Sequence, residues 1–354
     1  MLSLSGKNAQ SGGGKDGGIH MKKRHPGEAA RRAGRLAILW ACLCVALSGC
    51  AGERRMKKYT AEWLDLFDTQ IRLTAFASDP EEFDRAAGAV YGLLAHLDAV
   101  FDAYAPHEDV QGVWAVNAAG GGTVWAEPEL VELLEQALEW SQASGGAFNP
   151  VMGSVLFLWH EARLTGVLPE EAALREAGEH MDARAVTVDR EAGTVCLGDP
   201  QARLDLGAVA KGWALARAAE LLDATLPNYL LDGGGNIVCG LAPCDGRDAW
   251  SVGVRDPQSD DAGACVQVLR LTSCAAVTSG GYQRYVEIDG ARYHHLIDPD
   301  TLFPANRHLQ TTVLCADSGL ADFLSTAAFV LPGQQARELV GRYGAECLIL
   351  DAEP

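Results

Sequence analysis

Apolar residues recur at helical spacing from Phe83 through Ala87, Val90, Leu94 and Leu97 to Phe101, a stripe that one helix face would bury. Asp79-Pro80-Glu81-Glu82 marks its start, with an N-cap aspartate, proline at the first helical position and Glu82 placed for a capping box. A second stripe opens near Pro128, carries Leu130, Leu133, Leu134, Ala137 and Leu138, and ends before Gly145-Gly146. Residues 185–188 and 194–197 flank an Asp-Arg-Glu-Ala-Gly turn, and residues 285–288 meet 291–294 across Asp289-Gly290. Both pairs predict β-hairpins. Further strands are expected at 250–255, 266–271 and 311–315, interspersed with helices near 208–223, 320–330 and 334–343. The two kinds of element do not alternate strictly, so an α+β fold with antiparallel sheet fits better than a doubly wound parallel one. No repeat of fixed period is present.

The first 60 residues follow a different pattern. Basic residues Lys22, Lys23, Arg24, Arg31, Arg32 and Arg35 precede an apolar run from Leu36 to Ala46, the length of a signal core and short for a bilayer span. Leu47-Ser48-Gly49-Cys50 closes the run and resembles a bacterial lipobox, in which Cys50 takes a lipid and becomes the new amino terminus. Met21, just before the basic run, is an alternative start. The expected organisation is a signal region over 1–49, a lipidated tether over 50–60 and one catalytic unit over 61–354. The chain would then be exported and held by its lipid on the periplasmic or extracellular face of the bacterial membrane.

With 354 residues and 48% hydrophobic content there is ample material for a core. The whole chain carries a net charge of −18; removing residues 1–49 takes away eight basic and two acidic residues, leaving −24. That balance disfavours nucleic acid as a partner and leaves membrane attachment to the lipid. Seven cysteines lie beyond Cys50, none in a Cys-x-x-Cys pair, so a zinc ribbon or thioredoxin-like centre has no support. Scattered buried thiols are expected, and the spacing of Cys239 and Cys244 admits a disulfide.

Three blocks carry candidate chemistry. Residues 205–212 read DLGAVAKG, an apolar strand-like approach to Asp205 followed by a helix whose first turns hold Lys211. Helix amino ends attract anions, and a lysine there adds donors for a phosphate. Taken alone, the block reads better as an N-cap aspartate with a solvated lysine. Asp322 and Thr326, four apart in ADFLST, would share one helix face and offer two hard oxygens suited to Mg²⁺. A threonine at that spacing more often bonds backbone or packs. His294 and His295 lead into DPDTLFPA, where strand alternation turns one imidazole to a cleft and the other away. Asp298 and Thr301 follow within reach. The Gly233-Gly234-Gly235-Asn236 run permits close backbone approach but matches neither a dinucleotide fingerprint nor a phosphate loop.

In combination these blocks resemble the ApbE family of FAD:protein FMN transferases. The resemblance also rests on Gly146-Ala147-Phe148-Asn149-Pro150, the run from Leu231 to Asn236, Thr278-Ser279-Gly280 before Tyr282-Gln283-Arg284-Tyr285, and His295-Leu296-Ile297-Asp298-Pro299. It extends from about Trp63 to the C-terminus. It implies Mg²⁺-dependent transfer of the FMN moiety of FAD, as a phosphoester, to a threonine or serine of a membrane or exported flavoprotein, with release of AMP. Carried over by motif, Asp322, Thr326 and the Ala208 carbonyl would hold the metal. Asp205, Lys211, Ala147, Phe148 and Asn149 would contact FAD, with Tyr104 near the flavin. His295 would assist proton transfer, and Asp298 and Thr301 would shape the same site. The chain departs from the family where a carboxylate is usual at Asn149, an acidic residue at Gly281, a glycine at Leu302, and Met-Gly-Thr at Phe67-Asp68-Thr69. Two other readings stay open: a Mg²⁺-dependent FAD pyrophosphatase, which uses the same site with water as nucleophile to give FMN and AMP, and a non-catalytic FAD-binding lipoprotein.

Overall fold

The computed structural model describes residues 55–261, 263–282 and 284–352. The signal region, the alternative start at Met21 and the expected lipidation at Cys50 lie outside the described residues. No described helix is long and apolar enough to cross a membrane.

Fourteen strands are present among the described residues: β1 (Lys57–Leu66), β2 (Thr69–Ala77), β3 (Val124–Trp125), β4 (Thr187–Asp189), β5 (Thr194–Cys196), β6 (Tyr229–Gly233), β7 (Asn236–Cys239), β8 (Trp250–Arg255), β9 (Cys265–Leu271), β10 (Cys274–Gly280), β11 (Tyr285–Ile288), β12 (Ala291–His294), β13 (His308–Cys315) and β14 (Glu346–Asp351). Seven form one sheet in the order β1-β2-β6-β7-β10-β13-β14, with every neighbouring pair antiparallel. The fold is therefore α+β, as expected. The first strand begins at Lys57, so residues 57–60, expected in the tether, already pair with β2. Alternation of the hydrophobic residues Tyr59, Ala61 and Trp63 with Lys58, Thr60 and Glu62 explains this early start, since those three pack on the core.

Strand periodicity divides the sheet into two faces. On β10, Ala275 and Val277 join the main helix-covered core, whereas Ala276 joins the opposite cluster, with Phe76, Cys239, Trp250, Val252, Val254, Leu269 and Leu271. The β8–β9 hairpin supplies most of that second cluster. On the first face lie the helix Pro80–Phe101, the helix Ala210–Thr225 (the lysine helix) and the helix Ser318–Val330 (the aspartate helix). Asp79 caps the helix as read, accepting from Glu82 N–H at 2.9 Å, while Glu82 reaches one residue further back than a capping box requires and accepts from Ser78 N–H at 2.7 Å. Asp289 and Gly290, with φ of 52° and 78°, make the expected tight turn between β11 and β12. The predicted strand leading to Asp205 is reduced to an isolated bridge between Met152 and Arg203.

Candidate active site

The lysine and aspartate helices touch at a notch of small residues. A Cβ on Gly212 would lie 2.5 Å from both Asp322 Cβ and the Ser318 carbonyl oxygen, and one on Gly319 would lie 3.2 Å from Trp213 Cα. Glycine at 212 therefore brings its own N–H within 2.8 Å of Asp322 Oδ2, to which it donates. One turn on, Thr326 Oγ1 donates to the Ala208 carbonyl at 3.4 Å and lies 3.4 Å from Ser279 Oγ. Ser279 and Ser325 share a 2.8 Å hydrogen bond beneath them. Asp322, Thr326 and Ala208, far apart in sequence, thus meet where β10 and both helices converge.

This donor set suits a small hard cation. Mg²⁺ takes oxygens at about 2.0–2.1 Å in an octahedron, whose adjacent ligands stand about 3.0 Å apart. The observed 3.4 Å between Thr326 Oγ1 and Ala208 O needs only a small contraction. No cluster of three or more His, Cys, Asp or Glu able to hold a metal occurs among the described residues. A cation here would rest on one carboxylate, neutral oxygens and its ligand's phosphates, a common arrangement for Mg²⁺. Asn236 strengthens the fit: its amide is buried and Nδ2 has no partner meeting hydrogen-bond geometry among the described residues, yet it lies close enough to lower the Asp322 pKa.

Opposing charges act on both Asp322 and Lys211. Burial raises the Asp322 pKa, opposed by Lys211, Asn236 and the Gly212 N–H. Burial lowers that of Lys211, Asp322 opposes the shift, the Arg284 charge adds to it, and Asp232 again opposes it. The side chain of Lys211, the second residue of its helix, has no hydrogen bond or ion pair among the described residues, its charge being offset only at longer range by Asp322 and Asp232. An anion bound there would restore its solvation and meet the helix amino end.

Beside this cluster, Tyr104 donates from its hydroxyl to Asp205 Oδ2 at 2.6 Å and stacks on His160 with ring centroids 4.2 Å apart. Burial, then the Asp205 charge, raises the phenol pKa. Asp205 also accepts from Gly207 N–H at 2.8 Å, fixing the turn into the lysine helix. The stretch 147–149 is more deeply committed than its motif suggests. The Phe148 side chain is in the core, edge-on to Phe323, so its contact with a ligand is confined to backbone. Asn149 donates to Met181 O and accepts from Val151 N–H, both at 2.9 Å, while Ala147 packs against Leu296, Ala305, Phe329 and Val330.

The two histidines differ in their partners, His294 ending β12 and His295 lying just beyond it. His294 is saturated: Nε2 donates to Ala305 O at 2.9 Å, Nδ1 accepts from Leu296 N–H at 3.2 Å, and the ring meets Phe329 edge-on. His295 donates from Nδ1 to Arg284 O at 3.2 Å, which leaves Nε2 as a free acceptor. Burial pushes its pKa down to about 3, so it is neutral near pH 7. Asp298 is buried instead in its own turn, accepting from Arg307 Nη1 and Asp300 N–H, both at 2.9 Å. The Thr301 hydroxyl is shared with the Phe303 backbone, donating to its carbonyl at 3.5 Å and accepting from its N–H at 3.4 Å. These two residues brace the turn and are not brought to the Asp322–Thr326 cluster. The sequence reading missed the buried amide of Asn236 and the clamp of Arg284, whose Nη2 donates to Phe67 O at 2.8 Å and Asp68 O at 2.9 Å. An asparagine ending a glycine run was the available signal for the first; the second is a long-range contact with none.

The ApbE family model matches residues 67–349. The chain belongs to the ApbE family. The FAD:protein FMN transferase of Treponema pallidum is 35% identical over 333 residues, covering 89% of this chain and 90% of the relative. A Klebsiella pneumoniae protein of the same description is 28% identical over 281 residues, covering 79% and 84%. The ApbE protein of Thermotoga maritima superposes with a TM-score of 0.74 at 29% identity, covering 83% of this chain and 94% of that one. The flavin transferase ApbE of Vibrio cholerae shares the fold, with a TM-score of 0.71 at 22% identity over 83% and 93%. Within the ApbE frame, three departures acquire physical meaning. Leu302 has φ of 62° and Asp68 has φ of 50°, conformations that favour glycine. At Gly281 a Cβ would stand 2.6 Å from the His294 ring, so an acidic side chain there requires that ring to move.

Proposed function

We propose that this ApbE protein is a Mg²⁺-dependent FAD:protein FMN transferase that esterifies a threonine or serine of an envelope flavoprotein with FMN and releases AMP. The observation that carries the reading is the convergence of Asp322, Thr326 and the Ala208 carbonyl at the first turn of the helix that carries Lys211. Mg²⁺, when bound, would screen the diphosphate charge and polarise the phosphorus to be attacked. Lys211 and the helix amino end would hold the diphosphate, and Tyr104 with Asp205 would border the ring systems. The acceptor hydroxyl oxygen forms the new bond to the FMN phosphorus as the bond to the AMP oxygen breaks. His295, with Nδ1 tied to Arg284 O, keeps Nε2 as an acceptor for the hydroxyl proton, and the negative charge of a bound diphosphate would raise its low pKa toward the working range.

The chain's own start, from the basic run to Cys50, supports export and lipid anchoring at the membrane where such acceptors reside. The test is incubation of the soluble chain from residue 51 with FAD, Mg²⁺ and a threonine-bearing acceptor, followed by the acceptor's mass. A gain of one FMN phosphoester with matching AMP supports transfer. FMN and AMP released with an unmodified acceptor would establish hydrolysis instead, and no AMP would leave only binding.

A further inference from the structure

The opposite face of the sheet holds a feature that the flavin chemistry does not use. Cys239 on β7 and Cys274 on β10 are direct register partners. Thr278 N–H donates to Gly235 O at 3.0 Å, and Gly240 N–H donates to Tyr229 O on the other side of β7 at 3.0 Å, so strand alternation makes 274 with 239 a hydrogen-bonded pair. Opposed residues in such a pair point to the same face with Cα atoms about 5.5 Å apart, within the range a disulfide spans. Both side chains belong to the cluster under the β8–β9 hairpin, and Cys239 Sγ lies 3.2 Å from Cys274 O. Cys315 is opposite Ala275 and packs on the helix-covered face, while Cys244 is exposed beyond the strand end. The Cys239–Cys244 pairing admitted by the sequence is thus replaced by a better-placed one.

We infer that Cys239 and Cys274, free thiols in this structure, are a site of disulfide formation in an oxidising compartment. The oxidant is a disulfide-bearing exchange partner of the glutathione or dithiol-protein class. Cys274, the more exposed thiol, attacks one sulfur of that disulfide as its thiolate and expels one partner thiolate. Cys239 then attacks the Cys274 sulfur and expels the second, so the two protons of Cys239 and Cys274 end on the two partner sulfurs. Burial raises both thiol pKa values, that of Cys239 to about 11, which makes the exchange slow at neutral pH. The bond closes a loop over residues 240–273 and staples two strands that reach the cleft at Asn236 and Ser279.

The full chain is equilibrated in glutathione buffers of increasing oxidising strength, quenched in acid, alkylated and mapped by peptide mass. A peptide pair joining Cys239 to Cys274, released by reductant, is expected, with a melting temperature about 5 °C or more above that of the reduced chain. Cys274→Ser and Cys239→Ala should each lose the linked pair and the shift, whereas Cys244→Ser should keep both. Alkylation of Cys239 and Cys274 in every buffer, or linkage of either to Cys315 or Cys244, would overturn the inference. This outcome is independent of whether FMN is transferred.

Discussion

Substituting Gly212 by alanine tests whether contact between the two helices sets the site. The added methyl would sit 2.5 Å from both Asp322 Cβ and Ser318 O, where ordinary contact begins at 3.4 Å, so the helices must part by about 0.9 Å. Overpacking of this kind costs about 1–3 kcal/mol in stability. The same displacement draws Asp322 from the Gly212 N–H and from the Thr326–Ala208 pair. A misplacement near 1 Å lowers rates by roughly 10²-fold. Gly88, on the exposed side of the helix Pro80–Phe101, has nothing within 4 Å of its Cβ position and serves as the control. Gly88→Ala should stabilise by about 0.5–1 kcal/mol and leave activity unchanged. Thermal melting and FMN transfer, titrated with Mg²⁺ at saturating FAD, give both readouts. Gly212→Ala with parent-like melting, rate and Mg²⁺ response would refute the packing argument.

Other substitutions separate the roles within the cleft. Asp322→Asn keeps the side-chain shape while removing a carboxylate whose burial is unfavourable, so melting should hold or rise as Mg²⁺-dependent turnover collapses; an unchanged Mg²⁺ titration would remove Asp322 from the metal site. Lys211→Ala should weaken FAD binding about 10- to 100-fold through loss of one charge-assisted contact, and superimposable FAD titrations would reject that role. His295→Ala should slow transfer more than it weakens FAD binding. With His295 at about 3 when folded and near 6.5 when unfolded, the unfolded state binds more protons between those values. Its neutral-state stabilisation is complete above about pH 6.5 and is lost as pH falls toward 3, so the parent should lose melting temperature more steeply with acid than His295→Ala. Equal slopes would contradict the buried neutral imidazole.

Much of the architecture was legible because the signals were local. The N-cap at Asp79 and the Asp289-Gly290 turn are short-range devices whose residues state their own geometry. The helices Gly153–Thr165 and Glu171–Gly178 gave little warning, since neither begins with a side-chain cap. In the site, i,i+4 spacing placed Asp322 and Thr326 on one helix face, whereas His295 falls just past the end of its strand, where alternation no longer fixes its direction. What the motifs did not disclose was side-chain commitment. Phe148 turns into the core, Asn149 closes on its own neighbourhood, and Asp298 is held by Arg307, because tertiary partners decide these directions. The Arg284 clamp on Phe67 and Asp68 joins residues more than two hundred positions apart, beyond any local pattern.

The most direct measurement is a crystal of the protein soaked with FAD and Mn²⁺ in place of Mg²⁺, examined by anomalous diffraction. The account predicts one manganese peak within roughly 2.5 Å of an Asp322 oxygen, Thr326 Oγ1 and the Ala208 carbonyl, with the FAD diphosphate completing the shell beside Lys211. A bound diphosphate with manganese elsewhere, or with Asp322 turned from the ion, would contradict it.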